Sequence, residues 1–480
     1  MAGLITDLSQ SAQALDAQQL GLQITSNNLA NVNNSNYATE SVQLGSTGVI
    51  ETNVGEVSMG VEATGVTEAR DPFLDAQVAQ EISQTSSLQA QDTQLTQAQS
   101  YLGEQVNSST STTSITDTST STTGISSALN NFFDSFSNLA SNPTDTGAQQ
   151  TVLQNASTLA DTVNTAYSQL QSLQGGITTQ IQQDVGTVNG LLQNIAQLNG
   201  QIQQYNVQNP NSTPNDLVDQ RQADVEQLAG YMNVTTSTIP NSYGQIQVTA
   251  LDANSNPVTL VSKTSVEGNG ITFTGAGFTG GVPSTTLGLT AGSLEGNLTA
   301  STGAIQTLIN NLGATASQLT SAVNTAYNPT GATGNFFAST PSSGQLLSLD
   351  PTLNAGTLKT TNTGNPGANE LALAVAQVQS QTFSTANGDQ VNGTIGGFYS
   401  SAVTGIGESI DGVESQLTDQ TAVQNLVEQQ RSSVSGVNQD DELTNLMTYQ
   451  SAFQAQARVM NTVNDLLDVV CNGLFGAPTN

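Results

Sequence analysis

Histidine is absent from these 480 residues and cysteine occurs once, as Cys471. Zinc sites of the usual ligands, Ser-His-Asp triads and Cys-His dyads cannot be built from such a chain, and a lone cysteine forms no intrachain disulfide. Cations are scarce too: Lys and Arg number 6 against 37 Asp and Glu, a formal net charge of -31. Without a basic patch to release counterions from phosphates, nucleic acid and anionic membrane surfaces are disfavoured as partners. No run approaches the roughly 20 apolar residues of a membrane span. The opening MAGLITDLSQSAQAL lacks the basic and continuous apolar regions of a secretory signal. Charged residues are only 9% of the chain, so the polar surface is mainly Ser, Thr, Asn and Gln. Recognition between partners is then expected to rest on hydrogen bonding and shape rather than on salt-bridge networks.

What is present is helical periodicity, over a length that suits two or three domains. Leu8, Leu15, Leu22 and Leu29 recur every seven residues near the start, and Leu446, Phe453, Met460 and Leu467 do so near the end. Each stripe fits a helix packed on some core; as two matching seams at opposite ends, they are expected to pair as a coiled coil. Residues 72 to 104 place Leu74, Leu88, Leu95 and Leu102 on the same spacing, starting from Pro72 in a first helical turn. Val152, Ala156, Leu159, Val163, Tyr167 and Leu170 form a further stripe, and Ile181, Val188, Ile195 and Ile202 another, with Gly175-Gly176 marking a break between them. The Ser/Thr-rich stretch 107 to 124 reads as a loop.

From about 233 to 290 the period changes to two, as in Ile246, Val248 and Ala250, with Asn/Pro and Gly-rich turns. The fold class is therefore mainly α with a β insertion: an elongated multi-domain rod of paired terminal helices, a helical bundle and a protruding β domain. Expected boundaries are 1–36 with 437–475 for the coiled coil, 37–232 with 291–335 and 396–436 for the helical rod, and 233–290 for the β-rich insert. The turn-rich 336–395 stands alone or joins the insert. The acidic run Asp440, Asp441 and Glu442 could pair carboxylates for hydrolysis, but before a helix it reads as a cap at the positive dipole end. Arg431 and Arg458 read as solvated intrahelix partners, with an intersubunit contact as the alternative. No catalytic, metal or cofactor residues are assigned.

NNLANVNNSNYATE, from Asn27 to Glu40, resembles the N-terminal signature of the flagellar rod, hook and hook-associated family, through Asn27, Asn28, Leu29, Ala30, Asn31, Asn33 and Tyr37. Asn36 stands where the family commonly has Gly, which Asn replaces in a left-handed turn at modest cost. SGVNQDDELTNLMTYQSAFQAQARVMNTVNDLLD resembles the family's C-terminal signature through Ser435, Gly436, Val437, Asn438 and Arg458 among others. Between them, MGVEATGVTEARDPFLDAQV, ALNNFFDSFSNLASNPTD, NDLVDQRQADVEQLAGYMNV and VNTAYNPTGATGNFF are similar, in that order, to blocks of the members that sit between hook and filament.

The resemblance implies a structural subunit and no enzyme, exported by the flagellar type III apparatus without a cleaved signal peptide to the extracellular hook–filament junction. It implies four partners: hook protein, hook-associated protein 3, further copies of the same chain in a tier, and an export chaperone on residues 437 to 470. Two other readings stay open. One is a different axial protein, hook-associated protein 3 or flagellin-like; the other is a secreted adhesin-like module whose β insert binds a ligand.

Overall fold

Apolar residues at three- and four-residue spacing fold most of this chain into helices, and a computed structural model describes residues 2–52, 55–58, 60–104, 124–210, 212–331, 334–365 and 367–475. In chain order these form α1 (Ala2–Ala30), β1 (Glu40–Ser46), β2 (Val49–Thr52), β3 (Gly55–Ser58), β4 (Val61–Glu68), α2 (Pro72–Ser100), α3 (Gly124–Ser141), α4 (Thr146–Gln208) and α5 (Asn215–Tyr231). Seven short strands follow: β5 (Thr235–Thr238), β6 (Ile246–Leu251), β7 (Pro257–Ser262), β8 (Ser265–Val266), β9 (Ile271–Phe273), β10 (Phe278–Gly280) and β11 (Thr285–Leu287). Helices α6 (Ser293–Ala300), α7 (Gln306–Tyr327), α8 (Glu370–Gln377), α9 (Ile395–Ser435) and α10 (Gln439–Phe475) complete the fold, which is mainly α with a β insertion. All but Gly124 of the stretch read as a Ser/Thr loop lies outside the described residues.

Two compact units divide the chain: the first is Met1–Gln84, Val185–Gly292 and Gln420–Asn480, the second Thr85–Asp184 and Ser293–Asp419. In the first, β5-β6-β7-β8 form one antiparallel sheet and β9-β10-β11 another. Two asparagines of α4 clamp their backbones. Asn199, wholly buried, donates to Ile246 O at 2.8 Å and Lys263 O at 2.7 Å, and Asn189 both donates to Ile271 O and accepts from Ile271 N. Val188, Leu192, Ile195 and Ile202 of α4 are buried in this unit, as are Val248, Leu260, Val261, Ile271 and Phe278 of the sheets. The stretch 40–68, placed by sequence reading within a helical domain, forms two antiparallel hairpins, β1 with β4 and β2 with β3. Most β1 and β4 side chains are half or fully exposed, so no apolar alternation marked them beforehand.

The second unit is built on an aromatic cluster. Phe132, Phe133 and Phe136 of α3 meet Phe336, Phe337 and Tyr327, with ring centroids 5.0 to 5.8 Å apart. Asn324 Oδ1 accepts from Phe336 N and Phe337 N, both at 2.9 Å, which fixes that turn against α7. The expected break at Gly175-Gly176 does not occur, because α4 is continuous from Thr146 to Gln208. Buried Leu170, Leu173, Ile177 and Ile181 hold the same face on either side, and that packing outweighs the roughly 1 kcal/mol per glycine of helix propensity.

Candidate functional site

The two ends of the chain meet in the first unit, where α1 packs along α10. Gly21 lies under the Tyr449 ring so closely that a Cβ there would stand 2.6 Å from Cε1. Gly21 is near the end of α1 and Tyr449 near the start of α10, so the helices run antiparallel. On α10 the half-buried row is Leu446, Tyr449, Phe453, Gln456, Met460, Val463, Leu467 and Val470, a repeat of three and four that includes all four seam positions. On α1 the most buried row is Ala17, Gly21, Ile24 and Asn28. Leu8, Leu15, Leu22 and Leu29 are half-buried, but at about 100° per residue they lie more than a quarter turn around α1 from that row. Small residues permit close approach here, and the expected leucine stripe is not the face that meets Tyr449. Leu443, Met447, Val459, Leu466 and Val469 of α10 are 40% to 69% exposed, an apolar surface that this single chain leaves uncovered.

At the base of the pair the signature residues act as polar staples. Asn28, 1% exposed, accepts from Tyr37 Oη at 2.7 Å and from Glu40 N at 3.1 Å, and donates to Glu40 O at 2.9 Å. It thereby closes the loop between α1 and β1. Asn31 Nδ2 donates to Asn27 O, and Asn34 Oδ1 accepts from Asn36 N. Thr39 N then donates to Ser435 O at 2.8 Å, with Thr39 Oγ1 on the same oxygen, so the N- and C-terminal signatures are bonded to each other. Gly436 has no room for a Cβ, which would lie 2.4 Å from Ser432 O. Asn438 Oδ1 accepts from Asp440 N and caps α10; Asp440, Asp441 and Glu442 occupy its first turn. Val437 is half-buried, while Asn27, Ala30 and Arg458 are exposed.

We expect Asn28→Leu to cost about 2–4 kcal/mol, because three buried groups lose their partner at once. Asn27→Leu, at an exposed position, should stay within about 0.5 kcal/mol of the parent. Urea unfolding of both variants measures the difference.

Beneath the staples lies a charge cluster that the sequence reading did not anticipate. Arg70 pairs with Glu68 through Nε at 3.1 Å, with Asp75 through Nη1 at 2.9 Å, and with Asp219, and its Nη2 donates to Asn36 O in the signature loop. Arg431, only 9% exposed, pairs with Glu226 and lies 3.7 Å from Asp75, so it is buried and not a solvated intrahelix partner. Two guanidiniums thus face four carboxylates, and the surplus negative charge has to be neutralised. Burial is the largest influence on Glu68 and, against the pull of Arg70, pushes its pKa up to about 7; its Oε2 is buried without a hydrogen-bond partner. Burial likewise raises Asp219 against the same Arg70. Burial, with the charges of Glu40 and Asp219, raises the Tyr37 hydroxyl, which stays a protonated donor to Asn28.

Glu68 gives the stability a defined pH dependence. Its folded pKa of about 7 exceeds its ordinary 4.5, so between these values the folded state keeps a proton that the unfolded state has lost. The contribution of Glu68 to stability is therefore fully present below its ordinary 4.5 and is lost as pH rises through about 7. Glu68→Gln cannot ionise, and we expect it to gain about 1–3 kcal/mol on the parent between pH 5 and pH 8. Urea unfolding at the two pH values tests this.

The scarcity of cations was the signal that could have found this cluster: of the six, Arg431 is buried and the Arg70 side chain is only 12% exposed, both in one unit. Among the described residues, no cluster of His, Cys, Asp and Glu could hold a metal ion, and no helix is long and apolar enough to cross a membrane.

Comparisons with known proteins converge on one family. Residues 113–337 match the family described as flagellar hook-associated protein FlgK helical domain, and residues 428–472 match flagellar basal body rod FlgEFG protein C-terminal. Flagellar hook-associated protein 1 of Bacillus subtilis (strain 168) is 26% identical, over 99% of both chains. The protein of the same name from Salmonella typhimurium is 24% identical over 97% of this chain and 99% of its own. The flagellar hook junction protein FlgK from Burkholderia pseudomallei has a similar fold, with a TM-score of 0.60 at 17% identity, covering 75% of this chain and all of that one.

Proposed function

We propose, for a chain that belongs to the family of flagellar hook-associated protein 1, the role of a structural subunit of the bacterial flagellum that joins hook to filament and on which filament assembly depends. The observation that carries this reading is the antiparallel α1–α10 pair, tied at its base by Thr39 and Ser435 and still exposing Met447, Leu466 and Val469 on α10. Helices with one apolar row half-buried and further apolar side chains outside gain burial when neighbouring subunits cover them. Leu8, Leu15, Leu22, Leu29, Leu446, Phe453, Met460 and Leu467 are the assembly seam. Residues 1–36 with 437–475 form the assembly domain, 37–232, 291–335 and 396–436 its mainly helical support, interrupted by the hairpins of 40–68, and 233–290 the β-rich insert.

The partners are other axial components of the flagellum: hook protein on one side, hook-associated protein 3 on the other, and like subunits within a tier. Before assembly, an export chaperone holds the C-terminal helix and the flagellar type III apparatus carries the chain to the cell exterior. The role is mechanical and not enzymatic.

Deletion of the gene, followed by electron microscopy and an assay of flagellin in the medium, tests the reading. Hooks without filaments, with flagellin leaking out, are expected. Normal filaments would refute the junction role and favour a redundant axial protein or an adhesin-like module.

A further inference from the structure

The first unit contains a cleft of about 1080 Å³ bounded by α2, α5 and β5, with Arg70 and Asp75 of the charge cluster in its lining. Arg221 lines it and is only 7% exposed. Its Nη1 donates to Asn199 Oδ1 and to Gly244 O, both at 2.8 Å. Unlike Arg70 and Arg431, it has no carboxylate within ion-pair distance among the described residues, and its Nε and Nη2 have no hydrogen-bond partner there. Burial, helped by the charge of Arg70, lowers its pKa to about 10, so it remains a cation at neutral pH. Asp75 and Glu81 also line the cleft, but Asp75 is engaged by Arg70 and Arg431, and Glu81 accepts from Gln420. A guanidinium presents a planar fork of donors that matches a carboxylate.

The wall beside it is an open sheet edge. In the order β5-β6-β7-β8, strand β5 is outermost, and Thr235 to Thr238 all line the cleft. Ile239 N donates to Gln245 O, and the register pairs Ser237 with Gln247 and Thr235 with Thr249. Odd-numbered residues of β5 therefore bond to β6, and the N–H and C=O groups of Thr236 and Thr238 face outward. Such an edge is a template for one more strand. Phe73, 73% exposed, lines the same cleft and offers a large apolar contact.

We propose that this cleft receives an extended acidic segment of a second copy of the chain, which adds as a strand to the outer edge of β5 and sets a carboxylate on Arg221. Charge complementarity selects the occupant. A chain with 37 acidic residues and 6 basic ones supplies carboxylates readily, and Arg221 is a buried cation with no carboxylate in ion-pair contact among the described residues. The inference rests on the junction reading, since it needs copies held side by side in a tier.

The test places the photo-crosslinking amino acid p-benzoylphenylalanine at position 73 and, separately, at position 80 of the full chain, and irradiates flagella purified from cells that make it. The expected product contains two copies, with the cross-link mapped to a peptide holding Asp or Glu. Thr236→Pro removes an outward N–H but no bond to β6, so it should lower the yield per assembled subunit by about tenfold or more while leaving the melting temperature of the monomer unchanged. Cross-links only to a different protein, a two-copy product undiminished by Thr236→Pro, or no product at either position while position 447 on α10 does cross-link would each overturn the proposal. Its failure is separable from that of the junction role: normal filaments after gene deletion sink the role itself, whereas missing filaments without this cross-link sink only the cleft.

Discussion

Arg70→Leu is expected to destabilise the first unit by about 3–5 kcal/mol, the range for breaking a buried ion pair by removal of one partner. The size follows from what is left behind. Glu68, Asp75 and Asp219, with side chains 7% to 13% exposed, would face one another without the guanidinium that all three share. Asp75 would keep only the more distant Arg431, and Asn36 O in the signature loop would lose its donor. Protonation offers partial relief, because burial already raises Glu68 and Asp219. The loss should therefore be smaller at pH 5 than at pH 8. Arg70→Lys keeps a charge but cannot reach all of these acceptors in one plane, and should fall between the parent and the Leu variant. Arg458→Leu, at an exposed position of α10, is the control and should stay within about 0.5 kcal/mol. Urea unfolding of the full chain followed by circular dichroism provides the measurement. A loss below about 1 kcal/mol for Arg70→Leu would mean that water enters the cluster and solvates it.

This cluster also marks where sequence reasoning reached and where it stopped. Periodicity carried the helices well. The stripe at Leu446, Phe453, Met460 and Leu467 coincides with the half-buried row of α10, because a long helix with one partner repeats its contacts every seven residues. On α1 the same rule highlighted the large leucines, while the tightest packing falls on Ala17 and Gly21. Hydropathy weights side-chain size, and close helix approach selects against it.

The signature asparagines are conspicuous as a string, but only the fold separates Asn28, buried with three hydrogen bonds, from exposed Asn27. Asn199 and Asn189, which clamp the sheets, carried no sequence signal, since a clamping amide and a solvated one look alike in a chain rich in both. The low charge content suggested recognition without salt bridges. Inside the first unit three of the few cations, Arg70, Arg221 and Arg431, are instead drawn in from solvent, where each is worth more than on the surface.

Phe453→Asp and Leu15→Asp should leave export intact and abolish incorporation into the flagellum, the largest functional effect expected of any point change in this chain. Both residues are half-buried in the isolated chain, so a carboxylate at either site still reaches water and its cost to the monomer is moderate. Covered by neighbouring subunits, the same carboxylate would be dehydrated in an apolar seam, at a cost of several kcal/mol unless it is neutralised. A difference of about 3 kcal/mol between the free and assembled states already shifts incorporation roughly a hundredfold, and the penalty recurs at every subunit of a tier. Val469→Asp makes the sharper comparison. Val469 is 69% exposed, so the monomer should unfold within about 0.5 kcal/mol of the parent, and any loss of incorporation then reports on the outer face of α10 alone. Immunoblots of the variants in the culture medium and in purified flagella read both quantities. Normal filaments on Phe453→Asp or Leu15→Asp would sink the seam, whereas normal incorporation of Val469→Asp alone would confine the intersubunit contact to the flank nearer α1.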